Sequence, residues 1–220
     1  MATTRRRRPS KDADPAFLEA LTIIAARIAA PLATADRKRL PVRMYLAGGA
    51  AMHYYTGART TDDVDAVFST RVMLPQDLEV YYVNAEGKPR LLYFDRQYND
   101  TLGLLHEDAQ QDSIPLSIPG VDARVLEVRA LSPVDLAVSK IGRFEDHDRG
   151  DIATLAQHGL ITERAVRRRT EEALSYYVGT TERARTSLEL ACQLIEANSP
   201  TAIAAIKPAR RRRPGRTRSR

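Results

Sequence analysis

Apolar positions along the chain change their period twice, and these changes predict where the elements lie. From Asp14 onward, Phe17, Leu18, Leu21, Ile24, Ile28 and Leu32 recur near the 3.6-residue period of a helix. Asp14-Pro15 suits its start, because proline fits the first helical turn. After a charged connection ending at Pro41, residues 42–46 read as a short buried strand entering Ala47-Gly48-Gly49-Ala50. Residues 50–55 have helix-forming composition, and Gly57 suits a C-cap. A strand pattern follows over 64–68, and residues 75–78 predict the start of a further helix. Strands over 80–83 and 90–94 flank a turn at 84–89. Residues 101–105 form another short apolar run, and 114–116 and 121–128 follow around Pro119-Gly120.

Beyond Ser132-Pro133 the pattern is helical throughout. One helix carries Val134, Leu136, Ala137 and Ile141, and another begins over 148–155. Residues 162–177 and 181–197 alternate as two amphipathic helices would. Mixed strands and helices followed by helices alone predict an α+β fold: a mixed sheet with flanking helices and a helical C-terminal region. The expected division is a basic disordered tail over 1–14, a core over 15–131, a helical region over 132–200 packed on that core, and a second basic tail over 201–220.

Composition narrows the partners. With 220 residues, 43% of them hydrophobic, the chain has enough apolar surface for a core, which excludes global disorder. No apolar run reads as membrane-spanning, and the N-terminal arginines are not followed by the apolar stretch of a secretory signal. The single Cys192 cannot form an internal disulfide and falls in an apolar helical pattern. A reducing, cytoplasmic setting and no membrane partner are therefore expected. The net charge of +6 belongs to the ends: Arg5 to Arg8, and seven arginines from Arg210 to Arg220. Without those 11, 23 basic residues face 28 acidic ones, a balance of −5. Basic tails on an acidic body can hold RNA or DNA by counterion release, without reading its sequence.

Candidate chemistry lies between Leu46 and Phe68. On a strand, Asp63 and Asp65 at i and i+2 project to one side, about 6.6 Å apart. Two such carboxylates repel unless a cation or a proton offsets them. Mg²⁺ takes carboxylates together with substrate phosphates and waters. Gly48-Gly49 lets the backbone approach a phosphate, and the following helix offers N–H groups and a positive dipole end. A phosphate platform beside a metal-holding pair suits in-line nucleotidyl transfer. His53 and the pairs Tyr54-Tyr55 and Tyr81-Tyr82 suit either packing or nucleotide contact. His106, His147 and His158 show no metal-ligand spacing with one another.

Gly48-Gly49 followed by Asp63-Val64-Asp65 on an apolar strand resembles the DNA polymerase β-like nucleotidyltransferase superfamily. Four stretches resemble its bacterial abortive-infection-type branch, whose members often act as toxins of toxin–antitoxin pairs. They are Ala47-Gly48-Gly49-Ala50-Ala51, Arg59-Thr60-Thr61-Asp62-Asp63-Val64-Asp65, Ser132-Pro133-Val134-Asp135-Leu136-Ala137-Val138-Ser139-Lys140, and Asp148-Arg149-Gly150-Asp151-Ile152. The resemblance covers about residues 40–160. It implies metal-dependent transfer of a nucleotidyl group from an NTP, with Mg²⁺ or Mn²⁺ held by Asp63 and Asp65. Gly48, Gly49 and Lys140 would bind the nucleotide, and Asp151 would serve the same site. A third catalytic carboxylate would come from a later strand: Asp95 is the candidate, with Asp108 and Asp122 as alternatives. The implied partners are an RNA acceptor such as tRNA, or a protein, and an antitoxin. If the strand at 101–105, which has no carboxylate, were the true counterpart, the chain would be a degenerate nucleotide-binding module. A nucleic-acid-binding protein working through its tails is the other rival.

Overall fold

The computed structural model describes residues 6–206, apart from 35, 37, 39, 100–102 and 179. Two apolar runs that lie far apart in the chain meet as its central strands. β1 (Val42–Leu46) pairs in parallel with β7 (Leu126–Ala130). β3 (Ala66–Phe68) pairs antiparallel with β1, and β6 (Ile114–Pro115) antiparallel with β7, giving the order β3-β1-β7-β6. A second sheet has the order β2-β5-β4. In it β2 (Asp63–Val64) runs parallel to β5 (Pro89–Phe94), and β4 (Glu79–Val83) returns antiparallel.

α1 (Pro15–Leu32) packs across β4, β5 and β7. The Asp14 carboxylate caps it by accepting the Ala16 N–H, and Pro15 opens it as expected. Phe17, Leu21, Ile24 and Ile28 are fully buried, each contributing about 1.5–3 kcal/mol. Phe17→Ala would therefore loosen this helix more than any surface change. Contrary to expectation, α1 has the length and mean hydropathy (1.5) of a membrane span. Here its apolar side serves as core.

α2 (Gly48–Thr56) is almost wholly buried and stops at Gly57, whose φ of 71° is left-handed as its C-cap role requires. α3 (Pro133–Ile141), α4 (Asp146–Gln157), α5 (Glu163–Tyr176) and α6 (Glu182–Ala197) follow, and α3 and α4 contact α2. The α+β class is as expected, and α5 and α6 begin within one residue of their predicted starts.

Several expectations need correction. Residues 7–14, expected within a disordered tail, lie against the body. The Arg7 N–H donates to Pro115 O, Ser117 N–H donates to Arg7 O, and the Arg7 guanidinium sits 4.7 Å from the centre of the Tyr55 ring. Residues 75–78 form no helix. Their carbonyls are taken by Arg96 (Pro75 and Gln76) and Arg27 (Asp77) instead of by N–H groups four residues on. The strand expected from Val121 begins only at Leu126, because Asp122 O turns the chain by accepting Val125 and Leu126 N–H. Residues 103–105 are not strand, and 101–102 lie outside the described residues. The expected tail at 201–220 begins as α7 (Pro200–Ile206), and residues 207–220 lie outside the described residues.

Candidate active site

At Asp65 the chain crosses from one sheet to the other. The expected single strand over 64–68 is two short ones, β2 and β3, separated by this residue. Asp65 O accepts the Ala47 N–H (2.9 Å) and Val64 O accepts the Asp95 N–H (3.2 Å). These bonds tie the β1–α2 turn, the crossover and the end of β5 to one point. Asp63 thus lies on β2, and Asp65 at the break that follows it. Asp63 is oriented by the Thr61 hydroxyl, and Asp95 Oδ1 accepts the Gln97 N–H at 2.8 Å.

The Asp65 carboxyl is pushed up to about 6, first by burial and then by the negative charges of Asp63 and Asp95. Lys140 and Arg143 pull it down, but less strongly. Of the three late candidates, Asp95 is the one whose charge acts on Asp65. Asp122 is bound by Arg124 on an exposed turn, and Asp108 lies 4.0 Å from His106. Neither is among the groups acting on Asp65.

Gly48 is required twice. Its φ is 50°, and a Cβ there would lie 1.9 Å from Asp65 Oδ2. Gly49 answers a different demand: a Cβ would meet the Thr61 side chain at 2.6 Å, so this glycine lets α2 close on the segment before β2. The first bond inside α2 is Ala51 N–H to Ala47 O, so the N–H groups of its first turn form its positive end beside Asp65.

Opposite the carboxylates stands a second charged group. Ser132 caps α3 by accepting the Asp135 N–H, and this helix carries Lys140, which is 4% exposed. Lys140 Nζ lies 2.6 Å from Asp151 Oδ2 and 3.7 Å from Asp148 Oδ1. Arg59 grips Asp151 with two hydrogen bonds (2.8 and 2.7 Å), and Arg143 grips Asp148 likewise (2.9 and 2.8 Å). Burial raises both aspartates, but these hydrogen bonds and charges outweigh it and hold them below the ordinary carboxylate range. Asp148 is placed by a reciprocal cap at the start of α4, where it also accepts the Glu145 N–H. Three cations thus share two carboxylates.

A cleft of about 370 Å³ is lined by Gly48, Asp65, Lys140 and Arg143, with Tyr98, Leu104 and Tyr177 among its other walls. Asp95 opens onto another cleft of about 410 Å³, with Tyr93 and Arg96. Among the described residues, Glu145, His147 and Asp148 also approach within 4.8 Å, a spacing suited to a metal ion. Asp148 is also held there by Arg143.

His53 is a packing residue. Its Nε2 accepts the Asp14 N–H, its Nδ1 pairs with Arg59 O, and its ring lies 4.5 Å from Phe17. Tyr54 and Tyr55 are buried, and their hydroxyls bind main-chain carbonyls. Arg59 and Asp148 lie inside the motif stretches, where the sequence gives them no role of their own, and Arg143, a candidate contact of Asp151 from the sequence, binds Asp148 instead.

The Gly48 turn at the start of α2 thus lies against Asp65 at the junction of the two sheets. Residues 19–198 match the family described as "Nucleotidyltransferase of unknown function (DUF6036)", and the chain belongs to that family. Comparisons with curated proteins and with solved structures returned no match.

Proposed function

We propose that this protein transfers a nucleotidyl group from an NTP to an acceptor hydroxyl, with Asp63, Asp65 and Asp95 as its catalytic carboxylates. The observation that carries this reading is the close approach of the Gly48 turn to Asp65, where a Cβ would lie 1.9 Å from Oδ2, with the charges of Asp63 and Asp95 acting on the same carboxyl. Such a cluster fits a divalent cation, which removes the repulsion. Mg²⁺ or Mn²⁺ at Asp63 and Asp65 would supply charge neutralisation on the triphosphate.

The chain's own groups account for the rest. Gly48 leaves room beside Asp65, and the first turn of α2, including Gly49, offers N–H groups to phosphate oxygens. Lys140 and Arg143 face the same cleft and stabilise the negative charge that moves toward pyrophosphate. Asp95 accepts the acceptor hydroxyl's proton as its oxygen bonds the α-phosphorus. The bond to the β-phosphate breaks, and pyrophosphate leaves with the electron pair. The position of Asp95 beside Asp65 weighs against a degenerate binding module. The resemblance to abortive-infection enzymes and the arginine-rich ends support an RNA acceptor such as tRNA, a cytoplasmic setting and a toxin role with a protein antitoxin.

Incubation with each α-labelled NTP, Mg²⁺ and total cellular RNA tests this. Label is expected on RNA for the wild type and not for Asp65→Asn. Absence of label on both RNA and protein with all four nucleotides, together with no NTP binding by calorimetry, overturns it.

A further inference from the structure

The solvent face of β2-β5-β4 carries more exposed aromatic surface than a bare sheet needs. Tyr81 is 80% exposed, Val83 58% and Tyr93 38%. The alternation of β4 explains which side they occupy. Val80 turns inward to α1 and Tyr82 meets Phe17 ring edge at 6.3 Å, so Glu79, Tyr81 and Val83 face out. Tyr93 pairs with Glu79 on one side and with Asp63 on the other. Asp63, Tyr93 and, one diagonal step on, Tyr81 therefore follow one another across the sheet, over about 10 Å. Tyr93 also lines the cleft of about 410 Å³ that Asp95 and Arg96 share. Burial, and the charges of Asp63 and Asp95, raise its hydroxyl above the ordinary value, consistent with that neighbourhood.

Resting on the transferase reading above, we propose that Tyr93 and Tyr81 form the stacking platform for the 3′ end of a single-stranded RNA acceptor. Exposed tyrosines on a sheet face accept bases that are not paired in a duplex. The platform starts at Asp63 and Asp95, so a base stacked on Tyr93 brings its own hydroxyl toward the carboxylates. A protein acceptor fits less well. A stable protein interface covers about 800 Å² on each partner, whereas this patch offers three apolar side chains. Glu79, Asp62 and Asp95 lie around it with Arg96, so stacking, and not phosphate pairing, supplies its hold.

The test uses the full-length protein, a 5′-fluorescent ten-nucleotide single strand and a hairpin of the same length. Tyr81→Ala and Tyr93→Ala should each weaken single-strand binding about tenfold or more and leave its salt dependence unchanged. Tyr93→Phe should stay within about twofold of wild type, because the ring is kept. Both tyrosines are exposed, so melting curves should stay close to wild type. NTP affinity with Mg²⁺, by calorimetry, should be unchanged in all three variants. Wild-type NTP binding with equal RNA affinity in every variant overturns the platform alone. Label passed to protein and never to RNA also overturns it. Loss of NTP binding in the wild type overturns the transferase reading instead.

Discussion

Two groups of aspartates in this protein stand in opposite charge surroundings. Asp65 stands with Asp63 and Asp95 at a sheet junction, where burial and like charge raise it to about 6. Asp148 and Asp151 are more deeply buried, yet they are held low because Arg143, Arg59 and Lys140 grip them. Burial alone therefore does not decide what a carboxylate is for. The ratio of nearby cations to anions sets the difference: Asp148 and Asp151 stand braced among three cations, whereas the charges of Asp63 and Asp95 outweigh those of Lys140 and Arg143 at Asp65.

The largest effect should separate the two groups by activity. Asp65→Asn is expected to lower transfer by about a thousandfold or more, by removing a ligand that acts on transition-state charge. Its metal-free melting temperature should equal or exceed that of wild type, since a repulsive charge is gone. A variant that keeps near-wild-type turnover would remove Asp65 from the chemistry.

Asp151→Asn should act mainly on stability. It leaves Lys140 and Arg59 unmatched. Loss of a buried partner costs about 3–5 kcal/mol, with the lower end expected because the Arg59 side chain is 40% exposed. Urea unfolding measures this. A loss below about 1 kcal/mol would mean that the brace is not structural.

Gly48→Ala tests the contact between the groups from the α2 side. Its Cβ would collide with the Asp65 carboxylate, and its φ of 50° adds about 1–2 kcal/mol of strain. NTP affinity and turnover should both fall, whereas Gly49→Ala should act first on stability through Thr61.

pH sharpens the same contrast with smaller changes. The folded value of Asp65 is above its unfolded value of 3.8, so its contribution is complete below that pH and is lost as pH rises through about 6. Asp148 and Asp151 are depressed, so their contribution is present above 3.8 and is lost as pH falls through their folded values. In EDTA, melting temperature should therefore decline on both sides of about pH 4–5, by the equivalent of about 1–3 kcal/mol on the alkaline side. Mg²⁺ should abolish only the alkaline decline. An unchanged alkaline limb would argue against metal at Asp65.

The smallest effect concerns the arginine-rich ends. Removing residues 208–220 should weaken RNA binding and flatten its salt slope while leaving NTP affinity intact. Removing residues 1–10 as well should also lower stability, because Arg7 and Ser10 bond the body.

Local pattern carried the helices furthest. Asp14-Pro15 and Ser132-Pro133 mark their helix starts through groups only a few residues away, and both caps are present. Strand limits were less legible: Asp65 breaks an apolar run because its carbonyl is claimed by Ala47, 18 positions earlier. The helix expected at 75–78 failed for the same reason, its carbonyls being taken by Arg27 and Arg96. By itself the sequence determined the α+β class, the order of most elements, the Gly48-Gly49 turn and the Asp63-Val64-Asp65 motif, since periodicity, caps and close spacing are local properties. Tertiary structure alone decided that the charge of Asp95 acts on Asp65, that Arg59 braces Asp151 from 92 residues away, and which tyrosines face solvent. Those choices depend on which distant charges and surfaces the fold brings within a few ångströms, and no local pattern encodes that distance.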